Sequence, residues 1–299
     1  MVAHMDTWRL LLTPPAHGAW NMAVDETLLE SVGRGASLPT LRLYAWQRPC
    51  LSLGYAQPFS DIDRPRLLAR GWDVLRRPTG GRAILHSDEL TYSVIAPPDE
   101  PRLAGTLLES YNRLAQALLA ALQSLGLPVE IQARAILPAA HLCLPVLADS
   151  PGRHWRRQNT NPVCFEVPST YEITVGGKKL VGSAQARRKE GVLQHGSLPL
   201  SGDLTRILQV LAFPNEAARL RAAERLLAHA TTVESALGRP VSWAEAAQAF
   251  ISAFGDRLDL DLQPRHLTPA EEARVEELVK NKYAHPEWTQ RVAGLKAEG

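Results

Sequence analysis

Strand signals in this chain fall in two clusters, with one long helix and one irregular stretch between them. Short apolar runs bounded by turn residues occupy residues 41–45, 50–55, 72–75, 83–85 and 90–96, and then 171–175, 179–186 and 192–200. A further short run at 8–12 precedes them. Between the clusters, residues 103–125 place Leu107, Leu108, Leu114, Leu118, Leu119, Leu122 and Leu125 on one broad face, and Gly126 supplies the stop. Bunched strands argue against a regular βαβ repeat and predict an α+β fold. The 41–45 and 50–55 runs, broken only by Gln47-Arg48-Pro49, are expected to be adjacent strands.

Helices account for much of the rest. Residues 21–30 place Met22, Leu28 and Leu29 near one face, and Ser60 and Asp61 offer caps for a short helix through Ala69, ended by Gly71. Ser242 with Glu245 and Thr268 with Glu271 match the capping box, the second with Pro269 at the first helical position. Residues 137–162 have no clean period; they hold four prolines and the basic cluster RHWRR, and read as a long loop of the kind that binds or covers a ligand.

The formal net charge is +2, from 33 basic and 31 acidic side chains, which argues against a dedicated nucleic-acid binder. Cys50, Cys143 and Cys164 are too scattered for a disulfide framework or for metal-ligand spacing. A reducing compartment is the simplest setting. The N-terminus lacks the pattern of a signal peptide, and no apolar run approaches the ~20 residues of a membrane helix. The expected protein is soluble and cytoplasmic, with no metal, no nucleic-acid partner and no membrane partner.

Three segments carry polar chemistry. The loop Arg76-Arg77-Pro78-Thr79-Gly80-Gly81-Arg82 combines glycines, which let backbone amides approach a ligand, with guanidinium donors suited to anions; a basic hairpin turn explains it equally well. It lacks the GK[ST] ending of a P-loop. His86 follows on the next strand, either as a site residue or as a core histidine. Cys164 ends the long loop and becomes a nucleophile only if a cation lowers its thiol pKa; otherwise it is a small buried hydrophobe. In GGKKLVGSAQARR, Lys178 and Lys179 point to opposite faces of a strand, and Gly182, Ser183 and Ala184 leave room beside the backbone, although a surface hairpin is again an alternative. The Gly176-Gly177 pair marks a hairpin, and His195 lies in a polar insertion, Gln194-His195-Gly196-Ser197, that also fits an edge bulge.

Taken in order, RRPTGGRAILH, GGKKLVGSAQARR and LQHGSLPL resemble the lipoate–protein ligase and octanoyltransferase superfamily, which is related to biotin protein ligases. NMAVDETLL, LSLGYAQ and KYAHPEWTQR fit the same pattern, so the likeness runs from Thr7 to about Arg291. PVCFEVPSTYEI resembles the cysteine-dependent octanoyltransferase branch, the LipM type, in which a lysine follows the nucleophile by fifteen positions, as Lys179 follows Cys164 here. Arg82 stands where many ligases have a third glycine, as it does in that branch.

The resemblance implies a biotin/lipoate ligase-like catalytic domain, a mixed sheet flanked by helices, over residues 1–255 with its core at about 36–250. A helical tail, 256–299, is expected to pack on the same unit. It implies octanoyl transfer from acyl carrier protein to a lysine of a lipoyl-domain protein, such as glycine cleavage H protein or a 2-oxoacid dehydrogenase lipoyl domain, without a cofactor. Cys164 and Lys179 would be catalytic. Arg76, Arg77, Gly80, Gly81, His86, Gly182, Ser183, Ala184 and His195 would bind substrate, and Arg76, Arg77 and the RHWRR cluster could draw in the acidic carrier. The alternatives are an ATP-dependent lipoate–protein ligase, an amidotransferase between lipoyl proteins, and a non-catalytic acyl- or lipoyl-domain-binding regulator.

Overall fold

The computed structural model describes residues 5–133, 163 and 171–291. Its main sheet has six strands, in the spatial order β10 (Gly182–Arg188), β11 (Gly191–Pro199), β6 (Glu89–Ala96), β2 (Thr40–Tyr44), β1 (Asp6–Leu12) and β12 (Leu260–Pro264). β10, β11, β6 and β2 pair antiparallel, whereas β2–β1 and β1–β12 are parallel, so the sheet is mixed.

Alternation along these strands builds two different faces. On one, Trp8, Leu10, Leu41, Leu43, Leu90, Tyr92 and Val94 pack against α3 (Leu107–Ser124) and α6 (Trp243–Leu258). That face is almost wholly apolar, and full burial of each large side chain contributes about 1.5–3 kcal/mol. The opposite face meets α1 (Gly18–Gly33) through Leu11, Tyr44, Ile95 and Leu193. It also carries Arg42, Thr91, Ser93, His195 and Ser197, all buried. Buried polar groups of this kind persist only when hydrogen-bonded, and the site is built from them.

Two smaller sheets flank the main one. β3 (Cys50–Leu53) lies between β4 (Asp73–Arg76) and β5 (Ile84–His86), parallel to the first and antiparallel to the second. Thus residues 41–45 and 50–55, expected as neighbours, belong to separate sheets; the proline-bearing link carries the chain from one to the other. β7 (Val129–Ala133), β8 (Tyr171–Val175) and β9 (Lys178–Lys179) form an antiparallel set, with Gly176 and Gly177 at φ of +55° and +76° in the tight turn. The chain changes sheets after Lys179, so the expected strand 179–186 is broken at Leu180 and Val181.

The helix expected at 103–125 begins at Leu107, where Thr106 and Glu109 form a reciprocal capping box. Near the C-terminus, Asp259 takes a left-handed φ of 52° and ends α6, after which β12 joins the main sheet beside β1. Residues 256–299 are therefore not purely helical: Leu260 and Leu262 alternate with Asp261, the period of a strand. α7 (Pro269–Leu278) then packs on α1 through Val275 and Leu278, and α8 (Pro286–Gln290) reaches β4. Among the described residues no helix is long and apolar enough to cross a membrane.

Candidate active site

The glycine loop leaves β4 at Arg76, and two features fix its course. First, Gly54 crosses Gly81 so closely that a Cβ on Gly54 would stand 2.0 Å from the Gly81 carbonyl oxygen. Second, Arg77 is buried inside the loop. It donates to the carbonyl of Gly80 at 2.9 Å, to that of Arg82 at 2.7 Å and to the Ser52 carbonyl and hydroxyl on β3 at 3.0 and 3.1 Å. Such charge-assisted bonds are the strong ones. A Cβ added to Gly80 would meet only open space, and Gly81 holds a φ of +96° that suits glycine.

Arg76 is turned the other way. Its guanidinium donates to the carbonyls of Gly54, Tyr55 and Gln57 and twice to that of Thr289 on α8. Burial, with Arg291 and Arg77 nearby, pulls its pKa down to about 10. Arg76 and Arg77 are 1% and 2% exposed, so neither offers the surface charge expected to draw in an acidic carrier. Trp288 donates its indole N–H to the Arg76 carbonyl, and Arg291 lies over the Tyr55 and Trp288 rings, so the C-terminal residues brace the base of the loop.

Both candidate histidines lie behind the loop, and both are buried. His86 stacks on Trp46 with ring centroids 4.0 Å apart. Its Nδ1 meets Glu89 at 2.8 Å and its Nε2 meets the Ser52 hydroxyl at 2.7 Å, the same hydroxyl that accepts from Arg77. Thr91 and Ser197 also donate to Glu89. His195 has the same plan: Nε2 meets the Thr79 hydroxyl at 2.6 Å, while Nδ1 faces Asp25 of α1 at 3.6 Å. Burial raises the cost of the Asp25 charge, but Arg42 at 2.6 Å, together with His195, outweighs it and holds the carboxyl below its ordinary pKa. Burial pulls the His195 pKa below the ordinary imidazole value despite Asp25.

Register sorts the glycine–serine–alanine stretch of β10. Ala184 is opposite His195, and Gly182 is opposite Ser197, so both lie on the loop-facing side. Ser183 pairs with Gly196 and points to the other face, where its hydroxyl meets that of Tyr92 at 2.7 Å. The expected trio is thus split by the period of the strand, and Ser183 belongs to the core side.

Of the two lysines, Lys178 is exposed and Lys179 is buried. The Lys179 ammonium donates to Glu172 of β8 at 3.0 Å. Its backbone bridges Ala230, at the end of α4 (Glu216–His229). Ala230 shares an apolar cluster with Leu226, Ala83 and Val163, and Val163 pairs in parallel with Ala83 at the exit of the glycine loop. Cys164, Cys143 and the RHWRR cluster lie outside the described residues. Cys50 is fully buried, and that burial pushes its thiol pKa well above the ordinary value.

Residues 17–255 match the model of the lipoyl protein ligase A/B catalytic domain. The chain belongs to this family. It is 42% identical over 287 residues to octanoyltransferase LipM of Moorella thermoacetica, covering 96% of this chain and 98% of that one. It is 40% identical over 288 residues to octanoyltransferase LipM of Kyrpidia tusciae, covering 96% of this chain and all of the other. Among solved structures, a bipartite lipoate protein ligase of Thermoplasma acidophilum superposes with a TM-score of 0.75 at 24% identity, over 98% of this chain and all of that one. The expected ligase-like α+β fold is therefore the observed one.

The residues not foreseen as site residues are Asp25, Arg42, Ser52, Gly54, Glu89 and Glu172. Arg42 had a local signal, as a charge inside an otherwise uncharged strand. Gly54 had none, because its role is set by a strand crossing.

Proposed function

We propose that this chain is an octanoyltransferase of protein lipoylation, with Cys164 as nucleophile and Lys179 as its cationic partner. The observation that carries the reading is the Val163–Ala83 pairing, because it sets the residue before Cys164 beside the glycine loop. The link from Lys179 through Ala230 to the Val163 cluster supports it.

In the first half-reaction the Cys164 thiolate attacks the thioester carbonyl of octanoyl-acyl carrier protein. A new carbon–sulfur bond forms, the old one breaks, and the carrier thiol leaves with a proton. In the second, a lysine amine of a lipoyl-domain acceptor attacks the octanoyl-enzyme thioester. An amide forms, the Cys164 thiolate departs, and the amine's surplus proton is passed on, with Lys179 as the shuttle in this reading. Thioester to amide is downhill, so the reaction needs no nucleotide. The ammonium of Lys179, oriented by Glu172, favours the thiolate electrostatically. Backbone amides at Gly80, Gly81 and Gly182 are the oxyanion donors in this reading. His86 and His195 act from behind the loop, and Arg76 and Arg77 shape it. The setting is the cytoplasm, where carrier and acceptor occur together.

The test is intact mass after mixing the protein with octanoyl-carrier protein, followed by addition of an acceptor domain, with and without ATP. An octanoyl adduct on Cys164 that is consumed by acceptor without ATP is expected. A strict need for ATP with free acid as donor would assign a ligase instead.

A further inference from the structure

The two ends of Thr79 are pinned in different ways. Its carbonyl accepts from the Tyr55 amide at 2.8 Å, and its hydroxyl meets His195 Nε2 at 2.6 Å. At the next residue, Gly80, the Cβ direction is open, while the carbonyl is held by Arg77. Thr79 is thus held at both ends immediately before the glycine pair, and His195 is what anchors its side chain.

The direction of that hydrogen bond follows from the groups behind it. Asp25 accepts from Arg42 at 2.6 Å and from Ser93 at 2.8 Å, so its carboxylate is ionised and fixed in place. A fixed negative charge at Nδ1 favours the tautomer with its proton there. Nε2 is then an acceptor, and the Thr79 hydroxyl donates to it. Burial and the nearby charge of Arg77 oppose protonation of the ring, while Asp25 favours it; the net is a lowered pKa that favours the neutral imidazole.

We propose that Asp25 and His195 are positioning residues for acyl transfer: through the Thr79 hydroxyl they set the direction in which the Gly80–Gly81 backbone meets the acyl carbonyl. The proposal rests on the octanoyl-transfer reading above, and neither residue needs to touch substrate. Positioning errors of about 1 Å can cost on the order of a hundredfold in rate, so one buried hydroxyl is a sufficient lever.

The test compares Thr79→Val, which keeps the shape and removes the donor, with Thr79→Ser, which restores it. Acylation of Cys164 is followed at saturating octanoyl-carrier protein, and NMR reads the His195 imidazole and the Gly80 and Gly81 amides. Thr79→Val should slow acylation at least about tenfold while the protein stays folded, with Tm lowered by roughly 2–12 °C because the buried Nε2 loses its donor. It should raise the His195 pKa, because the bond favouring the neutral ring is gone. The two glycine amides should shift, and Thr79→Ser should reverse all three effects in large part. A Thr79→Val protein with an unchanged rate, His195 pKa and glycine amides overturns the proposal. If the wild type takes no octanoyl group from the carrier, the transfer reading falls. The NMR measurements still decide whether His195 and Thr79 set the loop.

Discussion

Gly54→Ala should damage the glycine loop without touching any reacting group. The new Cβ would stand 2.0 Å from the Gly81 carbonyl oxygen and 2.8 Å from its carbon. A tolerable carbon–oxygen contact is about 3.3 Å, so one backbone must retreat by more than about 1 Å. No side chain can absorb this by changing rotamer, because both partners are main chain. The Gly54 φ lies outside the left-handed region, so the cost is steric rather than conformational. Overpacking costs about 1–3 kcal/mol, and for a chain of this size each kcal/mol lowers Tm by roughly 2–4 °C, so a fall of roughly 2–12 °C is expected. The bond from Tyr55 to Thr79 and those from Arg77 to Gly80 and Arg82 span the crossing, so the loop should also become more sensitive to proteolysis. Gly80→Ala is the control, since no atom lies within 4 Å of its would-be Cβ. Calorimetry and limited proteolysis on both variants provide the assay. Equal Tm values and equal protease sensitivity would refute the steric argument.

Lys179→Met should raise the pKa that governs alkylation of Cys164 and slow acylation, while Cys164→Ala should give no acyl-enzyme; an adduct surviving in Cys164→Ala would place the nucleophile elsewhere. Cys50 should resist iodoacetamide at neutral pH until the protein unfolds, since its thiol is fully buried with a raised pKa; rapid site-specific labelling there would contradict the packing. Asp25→Asn should cost roughly 3–5 kcal/mol at neutral pH by leaving Arg42 buried without its counter-charge. Because the Asp25 pKa is lower folded than unfolded, its stabilisation is present above about pH 4 and is lost as pH falls through the folded value, so the gap between wild type and variant in denaturant melts should narrow in acid.

Elements whose signal is local were legible in the sequence. The period of residues 103–125, the Gly176-Gly177 turn and the Thr268–Glu271 capping box each act within a few residues, and each forms, with the helix starting at Leu107. Sheet membership is not local. Residues 41–45 and 50–55 are both short, mainly apolar runs and lie almost side by side in sequence, yet β2 pairs with β6 and β3 with β4 and β5. The strand at 260–264 was hidden because a helical stretch precedes it and a capping box follows, although Leu258, Leu260 and Leu262 alternate. What decides it is the open edge of β1, which no local pattern reveals.

The candidate site divides in the same way. RRPTGGR marks the loop, but it does not tell which arginine faces where. Arg76 is the final residue of β4 and turns to the 54–57 turn and α8, while Arg77 comes one position later and turns into the loop, as alternation along an extended chain requires. Alternation also separates Lys178 from Lys179, and Gly182 and Ala184 from Ser183. His86 was legible as either a site residue or a core histidine, and His195 as part of a polar insertion that also fits an edge bulge; both prove buried and hydrogen-bonded. The partners of His195 come from elements distant in sequence: Asp25 lies 170 positions away, and Thr79 lies 116. In each relay a carboxylate faces Nδ1 and a hydroxyl on or beside the loop meets Nε2. Two relays with one plan, one reaching the loop through Ser52 and Arg77 and the other through Thr79, hold it more firmly than its glycines would alone. That rigidity lets a glycine backbone serve as a fixed set of donors, because amides that must first be ordered contribute less to a transition state than amides already in place.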